Sequence, residues 1–400
     1  MLSIRTLAFT LLAAAAGSAA GAEAARFGDA LTGGKFWADF RYRLEHVEQK
    51  NALQNATAST LRIRPGYETG AYRGFSVLIE VESVLAIGND DYNSTVNGKP
   101  TRSVVADPEA TEINRAQLAY AGFPATKLAY GRQRLILDNS RFIGNVGWRQ
   151  NEQTYDAFTL VNESLPKTKV TAAFIWNVNR VFSDKHPAGN FKMDSPILNV
   201  QYSGWAPGQF SAYAYGLDFA NTPTASTRTL GLRFSGATPL AGTTRLLYTA
   251  ELARQQDWKD NPARFRLGYY RLEAGLAWPS FNITVGEERL AGNGTVAFQT
   301  PLATLHAMNG WADLFLTTPA AGLKDRSISL GATALGIKWL AVAHRFRADR
   351  GGAQYGTEWD LQAVKTFGKD WSVGLKLAHY DARSFSVDTD KVWAWVETKF

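Results

Sequence analysis

Arginines recur at every second position in two neighbouring stretches near the start of the chain. Arg41 and Arg43 alternate with apolar residues in the first stretch, and Arg62 and Arg64 do so in the second. A planar guanidinium binds a carboxylate through two parallel hydrogen bonds, so a row of arginines suits an anionic solute. Because alternate side chains of a strand share a face, these four arginines predict a basic wall.

Acidic residues alternate in the same way beside this basic wall. Glu80 and Glu82 occupy a third stretch, and Asp39 precedes Arg41 on the first. Two interpretations stay open. The arginines select anions by charge in a water-filled lumen, or Arg–Glu pairs lock adjacent strands, each exposed pair contributing only about 0–1 kcal/mol. The four arginines outnumber the two facing glutamates, which slightly favours anion selection.

The elements that must hold these residues are β-strands with a two-residue rhythm. Apolar and charged side chains alternate in 36–47, and the same alternation recurs along the chain. Eighteen such segments are predicted, near 36–47, 59–67, 75–83, 113–122, 126–134, 154–162, 168–182, 196–203, 209–219, 227–235, 243–255, 265–278, 281–290, 326–334, 337–348, 356–367, 371–381 and 391–400. Counting by twos also puts Arg115 and Lys376 on the polar face.

The connections between these segments alternate in length. Short ones such as 70–74 and 279–280 take turns with long ones such as 84–112 and 291–325. Bacterial barrels have short periplasmic turns and longer extracellular loops, whereas the Greek-key crossings of a soluble sandwich impose no such alternation. The sequence therefore predicts an all-β fold, a transmembrane antiparallel up-and-down β-barrel of about 18 strands.

The two ends of the chain predict its destination. Residues 1–24 combine a positive charge, an apolar stretch too short to cross a bilayer and a small-residue cleavage site, as in a signal peptide. Residues 25–400 would then form a single barrel domain. The last strand closes on Phe400, which looks like the signal that barrels present to their assembly machinery. We expect the outer membrane of a Gram-negative bacterium.

Composition excludes several function classes. The chain has no cysteine, and its five histidines lack ligand spacing, so no metal site and no cofactor are predicted. A net charge of +7 suits an anionic solute or the anionic headgroups of outer-membrane lipid and lipopolysaccharide, and export argues against nucleic acid. No catalytic motif is present, so no enzyme is expected. The remote alternative, a barrel lipase or deacylase, needs a Ser–His pair.

Two long segments resemble a known family. Segment 131–154 reads GRQRLILDNSRFIGNVGWRQNEQT, and segment 298–313 reads FQTPLATLHAMNGWAD. Both look like the alginate export family of outer-membrane barrels. The resemblance implies an 18-stranded monomeric barrel that passes the anionic polysaccharide alginate, or its oligosaccharides, through an arginine-lined pore. It also implies that Arg132 and Arg134 join the pore-lining bases.

These two segments fall mainly in the long connections 135–153 and 291–325. We expect both loops to fold inward and narrow the pore rather than form an outer lid, because their tryptophans suggest buried anchors. The residues expected at the constriction are Arg141, Trp148, Arg149, His306 and Trp311. The whole pattern predicts a passive channel for anionic solutes, with alginate-like uronates as cargo. The alternative within transport is a channel for other small organic anions or neutral sugars.

Overall fold

The computed structural model describes residues 23–400, so the predicted signal peptide lies outside the described residues except for its last two positions. A short helix, α1, spans Phe27–Thr32. Eighteen strands follow: β1 Lys35–Gln49, β2 Ala56–Glu68, β3 Phe75–Asp91, β4 Ala110–Phe123, β5 Thr126–Gln133, β6 Thr154–Asn162, β7 Thr168–Asn179, β8 Asn190–Trp205, β9 Gly208–Leu217, β10 Thr227–Ala241, β11 Thr244–Asp257, β12 Arg266–Trp278, β13 Phe281–Ala291, β14 Gly322–Ala334, β15 Ile337–Arg347, β16 Gln354–Phe367, β17 Trp371–Ala382 and β18 Thr389–Lys399. No helix within residues 23–400 is long and apolar enough to cross a membrane.

The strands form one closed antiparallel barrel. Each strand pairs with its neighbours in the chain, and β1 pairs with β18 in a register that sets Asp39 opposite Lys399 and Gln49 opposite Thr389. Closure leaves no exposed edge of unpaired backbone groups. The predicted fold class and the count of 18 strands are confirmed.

The two ends of the barrel differ in their connections. At the turn end, neighbouring strands are joined by short turns. The sequence predicts a turn over 236–242, but the observed turn is shorter than that. Strand β10 continues to Ala241, and the chain reverses at Gly242, which has φ +56°. The loop end carries the long connections, of which loop A is 134–153 and loop B is 292–321. Helix α1 lies at the turn end, where the Gly70 amide donates to the Ala30 carbonyl at 2.9 Å.

The outer surface is apolar, as the alternation predicted. The inner face of β1–β3 is polar, whereas inner side chains of β6–β9, such as Ile175 and Phe191, join a buried apolar cluster with the loops. On β1, Tyr42 and Leu44 are 40% and 37% exposed. The alternate residues Arg41 and Arg43 point inward and are buried. Aromatic rings stack side by side across strands near the turn end, as at Phe210 and Phe234 with ring centroids 4.5 Å apart. A closed barrel with an apolar outer belt and an aromatic girdle is the architecture of outer-membrane proteins. The predicted outer-membrane location is confirmed on that ground.

Candidate functional site

Loops A and B fold into the lumen and pair with each other there. Ile143 and Leu302 form a parallel β-bridge, and the Gly144 amide donates to the Leu302 carbonyl at 2.9 Å. A second backbone bond joins the Thr304 amide to the Ser140 carbonyl at 3.0 Å. Both loops therefore fold inward, as expected, and form one body inside the barrel.

One side of loop A is held by the basic wall on β1. The Arg41 guanidinium donates to the side-chain oxygen of Gln150 at 2.9 Å and to the carbonyls of Gly147 and Trp148 at 3.1 and 3.0 Å. The amide of Gln150 in turn donates to the hydroxyl of Thr60 on β2 at 2.9 Å. These bonds fix the loop backbone against the first two strands.

The other side of loop A reaches the opposite wall of the barrel. Phe142 packs against Tyr213 of β9 and Tyr269 of β12, with ring centroids 5.0 and 5.5 Å apart. Arg141, buried beside it, pairs with Glu288 of β13 at 3.0 Å. Loop A therefore spans the lumen from β1 to β13 and divides its cross-section.

The basic wall is largely neutralised by carboxylates. Arg43 pairs with Glu45 on its own strand at 3.2 Å and with Asp107, which the connection 92–109 brings into the lumen. Arg62 pairs with the predicted counter-charge Asp39. Both arginines are almost completely buried.

The arginines farther along this side are paired as well. Arg64 bonds the predicted counter-charge Glu82 and, at 2.8 Å, Glu152 of loop A, which Arg134 also bonds. Burial acts to raise the pKa of the Glu152 carboxyl, but Arg64 and Arg134 outweigh it and hold that pKa well below its ordinary value. Glu152 is therefore ionised and ties loop A to the wall.

The third predicted counter-charge, Glu80, belongs to Arg115, whose guanidinium donates to it at 2.6 Å. The comparison of four arginines with two glutamates is thus too simple, because Asp39, Glu45, Asp107 and Glu152 also face the basic wall. Most of these arginines hold neighbouring strands together or hold loop A against the barrel wall.

Lys376 of β17 sits between the two predicted tryptophans. Its ammonium nitrogen lies 3.7 Å from the ring centroid of Trp311 and 4.2 Å from that of Trp148. It donates to Nε2 of His306 at 2.8 Å, while Nδ1 of the same ring lies 2.7 Å from Asp313. Burial, with Lys376 contributing, lowers the pKa of His306 to about 3, so the imidazole is neutral. All these loop residues converge on one lysine.

Arg149 joins the two loops to the wall. Its guanidinium lies 3.1 Å from Glu45 of β1 and 2.9 Å from Asp313 of loop B. All five residues expected at the constriction therefore lie inside the barrel and make contacts there.

Two cations beside Trp148 lack a carboxylate contact. Among residues 23–400, Arg41 bonds only amide and carbonyl oxygens, and Lys376 bonds an imidazole, with no carboxylate oxygen within 4.0 Å of either. Both flank Trp148, so their charge is concentrated where loop A crosses the lumen. Within the described residues, no group of three or more His, Asp and Glu side chains is placed to hold a metal ion.

Arg132 is a correction to the predicted pore lining. The register pairs it with Asp156, and the next pair on that face, Tyr130 and Phe158, is 60% and 43% exposed on the outer surface. Arg132 therefore faces outward and bonds Asp156 at 2.8 Å. Arg134 lies beyond the end of β5, where the chain turns into the lumen.

Sequence reasoning missed several lumen carboxylates. Glu152 and Asp313 lie inside the two segments that resemble the alginate export family, so the resemblance offered a signal for them. Asp107 lies in a long loop with no distinguishing pattern, 64 residues from the arginine it pairs with. Only the fold brings those two together.

No protein-family model and no curated protein matches the chain. Among solved structures, Acinetobacter baumannii OccAB2 aligns over 93% of this chain and 99% of its own, with 13% identity and a TM-score of 0.75. Pseudomonas aeruginosa OccK9 (OpdG) covers 93% and 99% with 12% identity and a TM-score of 0.73. Pseudomonas aeruginosa OpdK, solved with vanillate, covers 92% and 99% with 13% identity and a TM-score of 0.73. At these identities the likeness shows the fold, a closed antiparallel barrel of 18 strands.

Proposed function

We propose that the chain is a porin-like channel that passively conducts anionic solutes across the outer membrane. The observation that carries this proposal is the pair of lumen cations, Arg41 and Lys376, that lack a carboxylate contact where the crossing loop narrows the barrel. Fixed positive charge in a narrow aqueous passage lowers the barrier for anions and raises it for cations.

The remaining arginines have a supporting role in this proposal. Arg43, Arg62 and Arg64 hold neighbouring strands and loop A through buried carboxylates. A buried pair resists the loss of either partner, because the charge left behind has no water to solvate it. The passage therefore keeps its shape, and weak contacts along it let the solute leave.

Small organic anions are the cargo that we favour. Loop A reaches from β1 to β13, and loop B pairs with it through Leu302, so the open cross-section is divided. A divided lumen suits a compact carboxylate better than a polymer. The structure of OpdK with vanillate supplies one example of a small aromatic carboxylate held by a barrel of this fold.

Uronate oligosaccharides of the alginate type are the second candidate. The resemblance of segments 131–154 and 298–313 to the alginate export family favours them. Each uronate carries one carboxylate, so successive sugars would meet the lumen cations in turn.

The selectivity is tested with the double variant Arg41→Gln/Lys376→Gln. Neither side chain contacts a carboxylate, so the substitutions remove charge without leaving an unpaired anion behind. We expect the anion-to-cation permeability ratio, taken from reversal potentials in planar bilayers under a KCl gradient, to fall severalfold. Lys192 is exposed on the outer face of β8. The control, Arg132→Gln/Lys192→Gln, therefore removes two cations outside the lumen and should keep the parent ratio. An unchanged ratio in the first variant would remove these two residues from the mechanism.

The cargo is tested by liposome swelling. Proteoliposomes are challenged with a small aromatic carboxylate, a uronate trisaccharide and neutral sugars of matching sizes. Faster entry of the small carboxylate than of its neutral match supports the favoured cargo. Preference for the uronate trisaccharide over its neutral match would select the second candidate, and equal rates for all would contradict both.

A further inference from the structure

Eight cations line the outer face of β10–β15 at the loop end. We call them the cationic rim, and they are Arg228, Arg254, Arg266, Arg289, Lys324, Arg326, Arg345 and Arg347. Each lies just beyond the apolar belt. Arg254, for example, follows Leu252 by two residues on the same face, and Leu252 is 61% exposed. The rim is thus at the level where the apolar surface ends and lipid headgroups begin.

The strand register sets like charges directly opposite each other within the rim. Lys324 faces Arg289 on one side and Arg347 on the other, while Arg326 faces Arg345. Side chains opposite each other have Cβ atoms roughly 4.5–5.5 Å apart, and like charges there are destabilising. An arrangement that costs free energy in isolation fits a surface that binds anions.

The rim has few carboxylates of its own. Asp349 pairs with Arg289 at 2.6 Å and with Lys324 at 3.3 Å, and Glu287 pairs with Arg326. Among residues 23–400, the other five members form no ion pair within 4.0 Å. Most of the positive charge is therefore available to a ligand.

The positive charge is densest on this part of the circumference. On β17 and β18 the outer face at the loop end carries acids, Asp381 and Asp390, whose side chains are 54% and 50% exposed. On β3 it carries Asp91, 48% exposed. The cationic rim is thus a predominantly positive patch, not a ring around the barrel.

We propose that the cationic rim binds the phosphate groups of lipopolysaccharide in the outer leaflet. The long loops mark the extracellular end of a barrel, so the rim faces the outer leaflet. Guanidinium groups bind phosphate through two parallel hydrogen bonds. Apolar side chains such as Leu230 and Leu252, 62% and 61% exposed below the rim, would contact the acyl chains of the same lipid.

The test uses the double variant Arg326→Gln/Arg345→Gln in the purified full chain. Lipopolysaccharide is titrated in detergent, and the bound lipid is measured as phosphate that elutes with the protein. We expect lipid affinity to fall roughly 30-fold, since each cation near an anionic lipid surface contributes about fivefold. Arg326→Lys/Arg345→Lys should keep most of the affinity, and the control Arg132→Gln/Lys192→Gln all of it. Faster migration of the unheated protein than of the heated protein on gels confirms that each variant is folded.

Two further arms on the parent protein need no variant. Lipopolysaccharide without its lipid A phosphates should bind at least tenfold more weakly, and inorganic phosphate at the same concentration should not displace the intact lipid. The proposal is overturned if the dephosphorylated lipid binds as tightly as the intact one, or if inorganic phosphate displaces it. Equal affinity of Arg326→Gln/Arg345→Gln and the parent would also overturn it.

Discussion

The barrel carries two populations of arginine, one in the lumen and one on the outer face of the strands. In the lumen, Arg43 and its partner Asp107 have side chains 1% and 0% exposed. On the cationic rim, the Arg326 side chain is 66% exposed. A shift of one residue along a strand moves a side chain from one population to the other.

The difference shows that exposure to water determines how many protein partners a guanidinium group needs. In the lumen, loops A and B cover the guanidinium groups, and nearly every one has a carboxylate or several carbonyl partners. On the rim, bulk water solvates the charge, and five of eight cations have no ion pair among the described residues. Buried pairs lock the lumen, while unpaired rim cations remain free to bind an external anion.

The largest effect is expected from Glu152→Gln. The substitution leaves Arg64 and Arg134 without their loop carboxylate, and breaking a buried pair costs about 3–5 kcal/mol. Urea unfolding in lipid should show this loss, and single-channel records should become noisier as loop A detaches. As the matched control, Glu287→Gln on the rim should change the unfolding curve far less. Equal effects from the two variants would mean that the lumen and rim carboxylates contribute equally to stability.

A smaller effect is expected from acidification, through His306. Burial holds its pKa at about 3, below the ordinary 6.5, so the folded protein keeps it neutral while the unfolded chain takes up a proton. The stability it contributes is present above pH 6.5 and is lost as the pH falls toward 3. Between pH 8 and pH 5 the free energy of unfolding should fall by roughly 2 kcal/mol more in the parent than in His306→Gln. The same slope in both proteins would show that His306 is exposed to water.

The smallest effect is expected from Arg345→Gln in protein free of lipopolysaccharide. The substitution removes a solvated charge opposite Arg326, so the free energy of unfolding should stay within about 0.5 kcal/mol of the parent value or rise slightly. Urea titration in detergent measures it. A loss of several kcal/mol would mean that rim arginines are structural like those of the lumen.

The strand layout was predictable because its signal is local. The segment 154–162 coincides with β6, and the other segments differ from the observed strands mainly at their ends. Which residues share a face follows from alternation alone, and Asp39, Glu80 and Glu82 lie on the inner face of β1 and β3. Helix α1, with only six residues, has too few turns to show a periodic pattern.

The facing of Arg132 was not predictable from the same rule. Counting by twos fails where a strand ends in an irregular segment, and the register against β6 had to settle it. The carboxylate partners of the lumen arginines could not be predicted from the sequence for a related reason. A carboxylate such as Asp107 has no sequence relation to the strand that it meets.

The sequence by itself predicts the barrel, its 18 strands and the basic wall. Each of these predictions rests on the two-residue alternation of side chains along a β-strand. Three-dimensional closure was needed to show that loops A and B meet inside, that Lys376 lies between Trp148 and Trp311, and that eight cations gather on one sector of the outer face. The reason is physical: alternation is a property of each strand, whereas pairing and charge compensation depend on which distant segments the closed barrel brings within a few ångströms.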